Sequence, residues 1–73
     1  MDWEKSVTPN QWLATTIEDT GFKTHMRLRR KNGNWSCRKR KQMGTPSPWT
    51  DITADSLEEA QTVAETLYRM GAL

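Results

Sequence analysis

The Asn-Gly pair at positions 32 and 33 constrains the fold of this chain more than any other feature. A two-residue type I′ turn requires positive φ at both central residues, and Asn-Gly is the pair that best tolerates this. If these residues form the turn, Lys31 pairs with Asn34, and the residues on either side pair in order along two strands. The sequence therefore predicts a β-hairpin whose register is set at its tip.

This register divides the hairpin into two faces, because side chains alternate along a strand. One face can pack on a core, although Arg30 and Lys39 also fall on it; its apolar members are Met26, Leu28, Trp35 and Cys37. The other face carries His25, Arg27, Arg29, Arg38 and Arg40. The hairpin is thus predicted to be apolar on one side and basic on the other.

Arg27 is predicted to lie directly opposite Arg38 in this register. A like-charge pair across two strands costs stability when no counter-charge is present. A sequence selected only for folding would not place two arginines there. The pair is therefore the main indication that the basic face has a function.

Charge is segregated along the chain, and the net charge of +2 conceals this. Residues 22–48 hold nine basic and no acidic residues, whereas residues 1–21 carry −3 and residues 49–73 carry −4. A concentrated basic surface on a small protein is typical of a binding site for a polyanion. The alternative is a solvated charged surface that keeps the chain in solution and has no binding role.

The carboxyl-terminal segment has the pattern of an amphipathic helix over residues 55–71. Ser56 and Glu59 fit a capping box, Asp55 is a second candidate cap, and Gly71 is placed to end the helix. One stripe at helical spacing is apolar: Leu57, Ala60, Val63, Ala64, Leu67, Tyr68 and Met70. We expect this stripe to cover the apolar face of the hairpin.

The amino-terminal segment, residues 1–21, is ambiguous. Thr8 and Pro9 resemble a helix start and Gly21 a helix end, so a short helix from Ser6 to Gly21 is one prediction. Three consecutive β-branched residues end at Ile17 and disfavour a helix, which leaves a strand over residues 12–17 as the alternative.

We therefore predict one α+β domain over residues 1–73. It contains a short N-terminal helix or extended segment, a basic three-stranded antiparallel sheet over residues 22–53 and a C-terminal helix packed on that sheet. The third strand is expected over residues 49–53, after a proline-containing loop at 43–48. Trp12, Trp35 and Trp49 are expected in the core, and Trp3 is either an exposed anchor or a strap over it.

Catalysis has little support in the sequence, so we predict that the chain is not an enzyme. The predicted register separates His25 and Cys37 onto opposite faces, and no residue spacing suits a metal or a phosphate-binding glycine loop. We expect no cofactor and no metal. No apolar run approaches the roughly 20 residues of a membrane span, no secretory signal opens the chain, and the lone Cys37 is typical of the reducing cytoplasm.

Binding of duplex DNA is the function that the basic face favours. A two-stranded β-ribbon fits the major groove, where arginine reaches guanine O6 and N7 with two hydrogen bonds. The predicted contacts are Arg27, Arg29, Arg38, Arg40, His25, Lys31, Lys39 and Lys41, the lysines suiting phosphates near the rim.

The order of these features resembles the arm-type DNA-binding domains of phage integrases. The resemblance covers a little over half of the chain: a basic strand, the Asn32-Gly33 turn, Trp35, a second basic strand, and the Ser56-x-x-Glu59-Ala60 helix start. It implies a sheet placed in the major groove with a helix behind it, groove-facing Arg27, Arg29, Arg38 and Arg40, and a phage or mobile-element origin.

The strand-then-helix ending also resembles small phage proteins that bind and inhibit host machinery. This resemblance implies a host protein or a nucleoprotein complex as the partner, with Trp3 and Trp12 as candidate anchors, because aromatic residues commonly anchor interfaces. Double-stranded RNA is a third candidate, since its recognition relies on shape and phosphate contacts. The oligomeric state stays open.

Overall fold

Five strands follow one another in chain order and pair antiparallel with their neighbours, and one helix ends the chain. The computed structural model describes residues 1–73 in full. The strands are β1 (Trp3–Lys5), β2 (Gln11–Ile17), β3 (Lys23–Lys31), β4 (Asn34–Lys41) and β5 (Thr50–Ile52), and the helix is α1 (Leu57–Arg69). The predicted α+β class is confirmed, but the sheet has five strands instead of three.

The central hairpin, β3 and β4, has the predicted turn and register. Asn32 and Gly33 both have positive φ, at 52° and 79°, as a type I′ turn requires. Lys31 pairs with Asn34, and the pairing continues through Arg27 with Arg38 to His25 with Arg40. The assignment of side chains to two faces of the hairpin is therefore confirmed.

The amino-terminal helix predicted from Ser6 to Gly21 is wrong, and the strand alternative is right. Its residues 11–17 form β2, which pairs with β3 along its whole length, so its β-branched residues lie where a pleated sheet accommodates them. Thr8 and Pro9 belong to the turn before β2, where the backbone N–H of Thr8 donates to the Ser6 hydroxyl. Gly21, with φ of 87°, lies in the turn that leads to β3.

The additional edge strand β1 completes the sheet on its amino-terminal side. Its three residues pair antiparallel with β2, Trp3 opposite Ala14 and Lys5 opposite Trp12. On the other edge, β5 pairs with β4, as the predicted third strand required. The sheet therefore spans residues 3–52, and its basic hairpin lies at the centre.

Helix α1 begins and ends close to the predicted residues. The Ser56 hydroxyl accepts a hydrogen bond from the Glu59 backbone N–H at 3.1 Å. Gly71, with φ of 70°, follows the last turn, and the N–H groups of Gly71 and Ala72 donate to the carbonyls of Tyr68 and Leu67. This paired bonding ends a helix by satisfying its last carbonyls. No helix here is long and apolar enough to cross a bilayer.

The core lies between α1 and one face of the sheet, the helix face. Met26, Leu28 and Cys37 on the central strands are fully buried, as are Ala60 and Ala64 on α1. The two small helix residues let the backbone of α1 approach β3, β4 and β5 closely. Met70, predicted on the apolar stripe, is instead 73% exposed, because it lies beyond the last turn of α1.

Candidate nucleic-acid interface

The opposite face of the sheet, the open face, has no helix over it. Four arginines lie there at the centre of the sheet, because they occupy the alternate positions that the core does not use: Arg27, Arg29, Arg38 and Arg40. His25 is on the same face, opposite Arg40, and Lys31 lies on it at the hairpin tip. The structure thus brings together six of the eight predicted nucleic-acid contacts.

Lys39 and Lys41 do not lie with them. Lys39 pairs with Met26 and Lys41 with Thr24, both of which are fully buried residues of the helix face. Alternation along β4 therefore turns these two lysines away from the four arginines. Lys39 and Lys41 are therefore not part of the central basic surface.

The cross-strand pair of Arg27 and Arg38 has formed, and each guanidinium has a neutral partner. Arg27 Nη1 donates to Gln11 Oε1 at 2.7 Å. The guanidinium carbon of Arg38 lies 4.5 Å from the centre of the Trp49 ring. These contacts draw the two guanidinium groups towards opposite sides of the hairpin, β2 and β5, so the sheet tolerates the pair although neither charge is cancelled.

Trp49 is predicted in the core, but it lies half-buried against the open face, with the Arg29 guanidinium 4.0 Å from its ring centre. Thr50 opposes Cys37 on the helix face, so the preceding residue falls opposite Arg38 on the other face. Alternation in the sequence is the signal that indicates this position, because it places Trp49 on the same side as Asp51 and on the opposite side from Ile52.

The other two arginines are also held by neutral oxygen atoms. Arg29 Nε donates to the Ser36 hydroxyl at 3.0 Å, and Arg40 Nε donates to the Gly44 carbonyl at 3.0 Å. The ion pair that the structure contains lies elsewhere, between the amino terminus and Glu65. The arginines of the open face therefore form no ion pair within the molecule.

Acidic residues border the basic surface on both edge strands. Glu4 opposes Leu13 on β1, and Asp51 opposes Ser36 on β5; both carboxylates are exposed. Between the β1 edge and the arginines lies an open pocket of about 460 Å³ whose lining includes Asp2, Glu4, Thr15, His25, Arg27, Arg38 and Arg40. A polyanion is therefore attracted to the central strands and repelled from the edges.

The two tryptophans proposed as protein anchors pack on the helix face. Trp3 Nε1 donates to Glu65 Oε1 of α1 at 3.2 Å, so Trp3 is the strap over the core. The ring centres of Trp12 and Trp35 lie 5.5 Å apart. The Lys5 ammonium lies 5.2 Å from the centre of the Trp12 ring. Both rings contribute to packing, and an anchoring role for them stays a prediction.

Cys37 and His25 lie on opposite faces, as the register predicted. Burial of Cys37 raises the pKa of its thiol from 9.0 to about 11, so the thiol stays protonated and unreactive at neutral pH. His25 instead shares a hydrogen bond of 3.1 Å with Thr15. The structure contains no group of three His, Cys, Asp or Glu residues that could hold a metal ion.

Comparison with known proteins adds no relative on which to base a function. No protein-family model matches the chain, and neither a curated protein nor a solved structure matches it. A function for this chain therefore has to be inferred from the geometry and charge of the open face.

Proposed function

We propose that the open face binds duplex DNA. The observation that carries this proposal is the arrangement of the four arginines: they share one uncovered face, and their partners are neutral. Arg27, Arg29 and Arg40 donate to an amide, a hydroxyl and a backbone carbonyl. Such guanidinium groups are positioned and still carry full charge, which is what phosphate and base recognition require.

Two features favour a groove over a flat anionic surface. The arginines lie in one strip along β3 and β4, in the middle of the five-stranded sheet, and their long side chains can reach from this strip into the major groove, which is about 12 Å wide. The exposed carboxylates of Glu4 and Asp51 lie on the flanking strands. They repel a broad anionic surface laid across the whole sheet but leave the central strip of arginines available to a groove.

Fluorescence anisotropy with labelled duplex DNA, duplex RNA and single strands at low salt tests the proposal. We expect saturable binding, tightest for duplex DNA. The double variant Arg27→Ser/Arg38→Ser should weaken that binding roughly a hundredfold, since a hydrogen bond to a charged group is worth about 1.5–3 kcal/mol. Its fold should stay intact or become more stable, because the cross-strand repulsion is removed.

A matched control removes the same charge from the other face. Lys5 and Arg30 lie over Trp12 and Trp35 on the helix face, so Lys5→Ser/Arg30→Ser lowers the net charge equally. We expect this control to bind duplex DNA within a few-fold of the unaltered protein. An equal loss of affinity in both variants would show that net charge alone determines binding, and it would contradict a binding site on the open face. Absence of binding to any nucleic acid would favour an acidic protein partner instead.

A further inference from the structure

The four arginines of the open face are not equivalent, and Arg29 is the one whose guanidinium is held at two points. Its Nε donates to the hydroxyl of Ser36, 3.0 Å away, and Ser36 is only 5% exposed. Its carbon Cζ lies 4.0 Å from the centre of the Trp49 ring. A buried acceptor and an aromatic ring together fix the position of this group.

This arrangement leaves the far end of the Arg29 guanidinium available. Because Nε is occupied by Ser36, the two terminal nitrogen atoms, Nη1 and Nη2, remain as a planar pair of donors. Arg27, by contrast, uses Nη1 on Gln11. Arg40 uses its Nε on Gly44, as Arg29 does on Ser36, but its guanidinium has no ring contact. Arg38 has the ring contact with Trp49 but no hydrogen bond that fixes its direction.

Guanine is the base whose major-groove edge presents two acceptors, O6 and N7, to such a planar pair. Resting on the proposed function, we infer that Arg29, held by Ser36 and Trp49, reads guanine in the major groove. Arg27, which uses Nη1 on Gln11, and Arg38 and Arg40, each of which is held at one point only, contact phosphates. Trp49 and Ser36 are positioning residues for Arg29 and need not touch the DNA.

Wild-type protein and four labelled duplexes provide the first test. The first duplex contains A·T pairs only, and the second has G·C pairs at its centre. In the third, 7-deazaguanine replaces guanine and removes N7; in the fourth, inosine removes only the minor-groove amino group. We expect a preference of about tenfold for the guanine duplex over the A·T duplex, lost with 7-deazaguanine and kept with inosine.

Variants of the Arg29 cluster provide the second test. Arg29→Lys keeps the charge but not the planar pair of donors, so the tenfold preference should fall to about one. Affinity for the A·T duplex should fall about threefold or less, because phosphate attraction persists. Trp49→Leu and Ser36→Ala should lower the preference in the same direction. Arg30→Lys is the matched control, since Arg30 lies over Trp35 on the helix face, and the preference should survive it.

The outcomes separate this inference from the function on which it rests. Equal affinity for the A·T and guanine duplexes overturns the inference and leaves duplex binding in place. A preference that survives Arg29→Lys, or that is lost with inosine, overturns the assignment of Arg29 to the major-groove edge of guanine. Absence of binding to any duplex overturns the proposed function and the inference together. The base-analogue experiment needs no variant, so a variant that fails to fold does not remove the test.

Discussion

The two faces of the central hairpin are built from the same strands and differ in almost every other respect. On the helix face, Met26, Leu28 and Cys37 are fully buried under α1. On the open face, four of the alternating residues are arginines, and none of the four forms an ion pair. One turn sets the register for both strands. Whether a residue packs in the core or lies on the open face therefore depends only on whether its position along the strand is odd or even. Substitutions on the open face can therefore make it basic without altering the core.

The largest expected difference between the faces is in stability. Leu28→Ala removes a fully buried side chain and should lower the free energy of unfolding by about 2–5 kcal/mol. Leu13→Ala is the matched change on the open face, where Leu13 is half-buried, and it should cost about 1 kcal/mol or less. Urea denaturation of both variants measures the difference. Equal costs would show that the open face also contributes to a core.

The buried thiol of Cys37 on the helix face is expected to make the stability of the protein depend on pH in the alkaline range. Burial raises the pKa of Cys37 from 9.0 to about 11, so between these values the unfolded chain releases a proton that the folded chain keeps. Stability from this group is therefore present below pH 9 and is lost as the pH rises towards 11. The difference in unfolding free energy between the wild type and Cys37→Ala should shrink over this range. A constant difference would contradict a buried, protonated thiol.

The smallest expected effect is at the acidic border. Glu4→Gln removes a carboxylate that lines the same pocket as Arg27 and Arg38. We expect affinity for duplex DNA at low salt to rise about two- to threefold, as suits a screened surface charge. Thr62→Val on the exposed side of α1 is a control that should leave the affinity unchanged. Weaker binding by Glu4→Gln would mean that the carboxylate contacts the ligand directly, for example a cytosine amino group.

Much of the fold is encoded in local signals in the sequence. The Asn32-Gly33 turn gave the register of β3 and β4 because its backbone requirements are strict, and Ser56 and Gly71 gave the ends of α1 because caps are chemically specific. The edge strand β1 was missed, since three residues carry too little alternation to recognise. The Thr8-Pro9 pair misled because the same residues begin helices and form turns.

The candidate site was predictable as far as the alternation of side chains along β3 and β4 was applied. Alternation correctly placed Arg27, Arg29, Arg38 and Arg40 on one face. It also placed Lys39 on the helix face, and Lys39 was included among the predicted DNA contacts only because it belongs to the basic segment. Trp49 was missed because a large apolar ring was assumed to be buried. The partner contacts of each arginine depend on rotamers and on neighbouring strands, which no local pattern encodes.

The dependence of binding on salt decides whether the arginines of the open face contact the phosphates of duplex DNA. If the open face neutralises about five phosphates, log K for duplex DNA should fall with log salt at a slope near −4 to −5. The Arg27→Ser/Arg38→Ser variant should reduce the steepness by about 2, whereas Lys5→Ser/Arg30→Ser should leave the slope nearly unchanged. A slope near zero, or equal slopes for the protein and its open-face variant, would contradict the claim that these arginines bind nucleic acid.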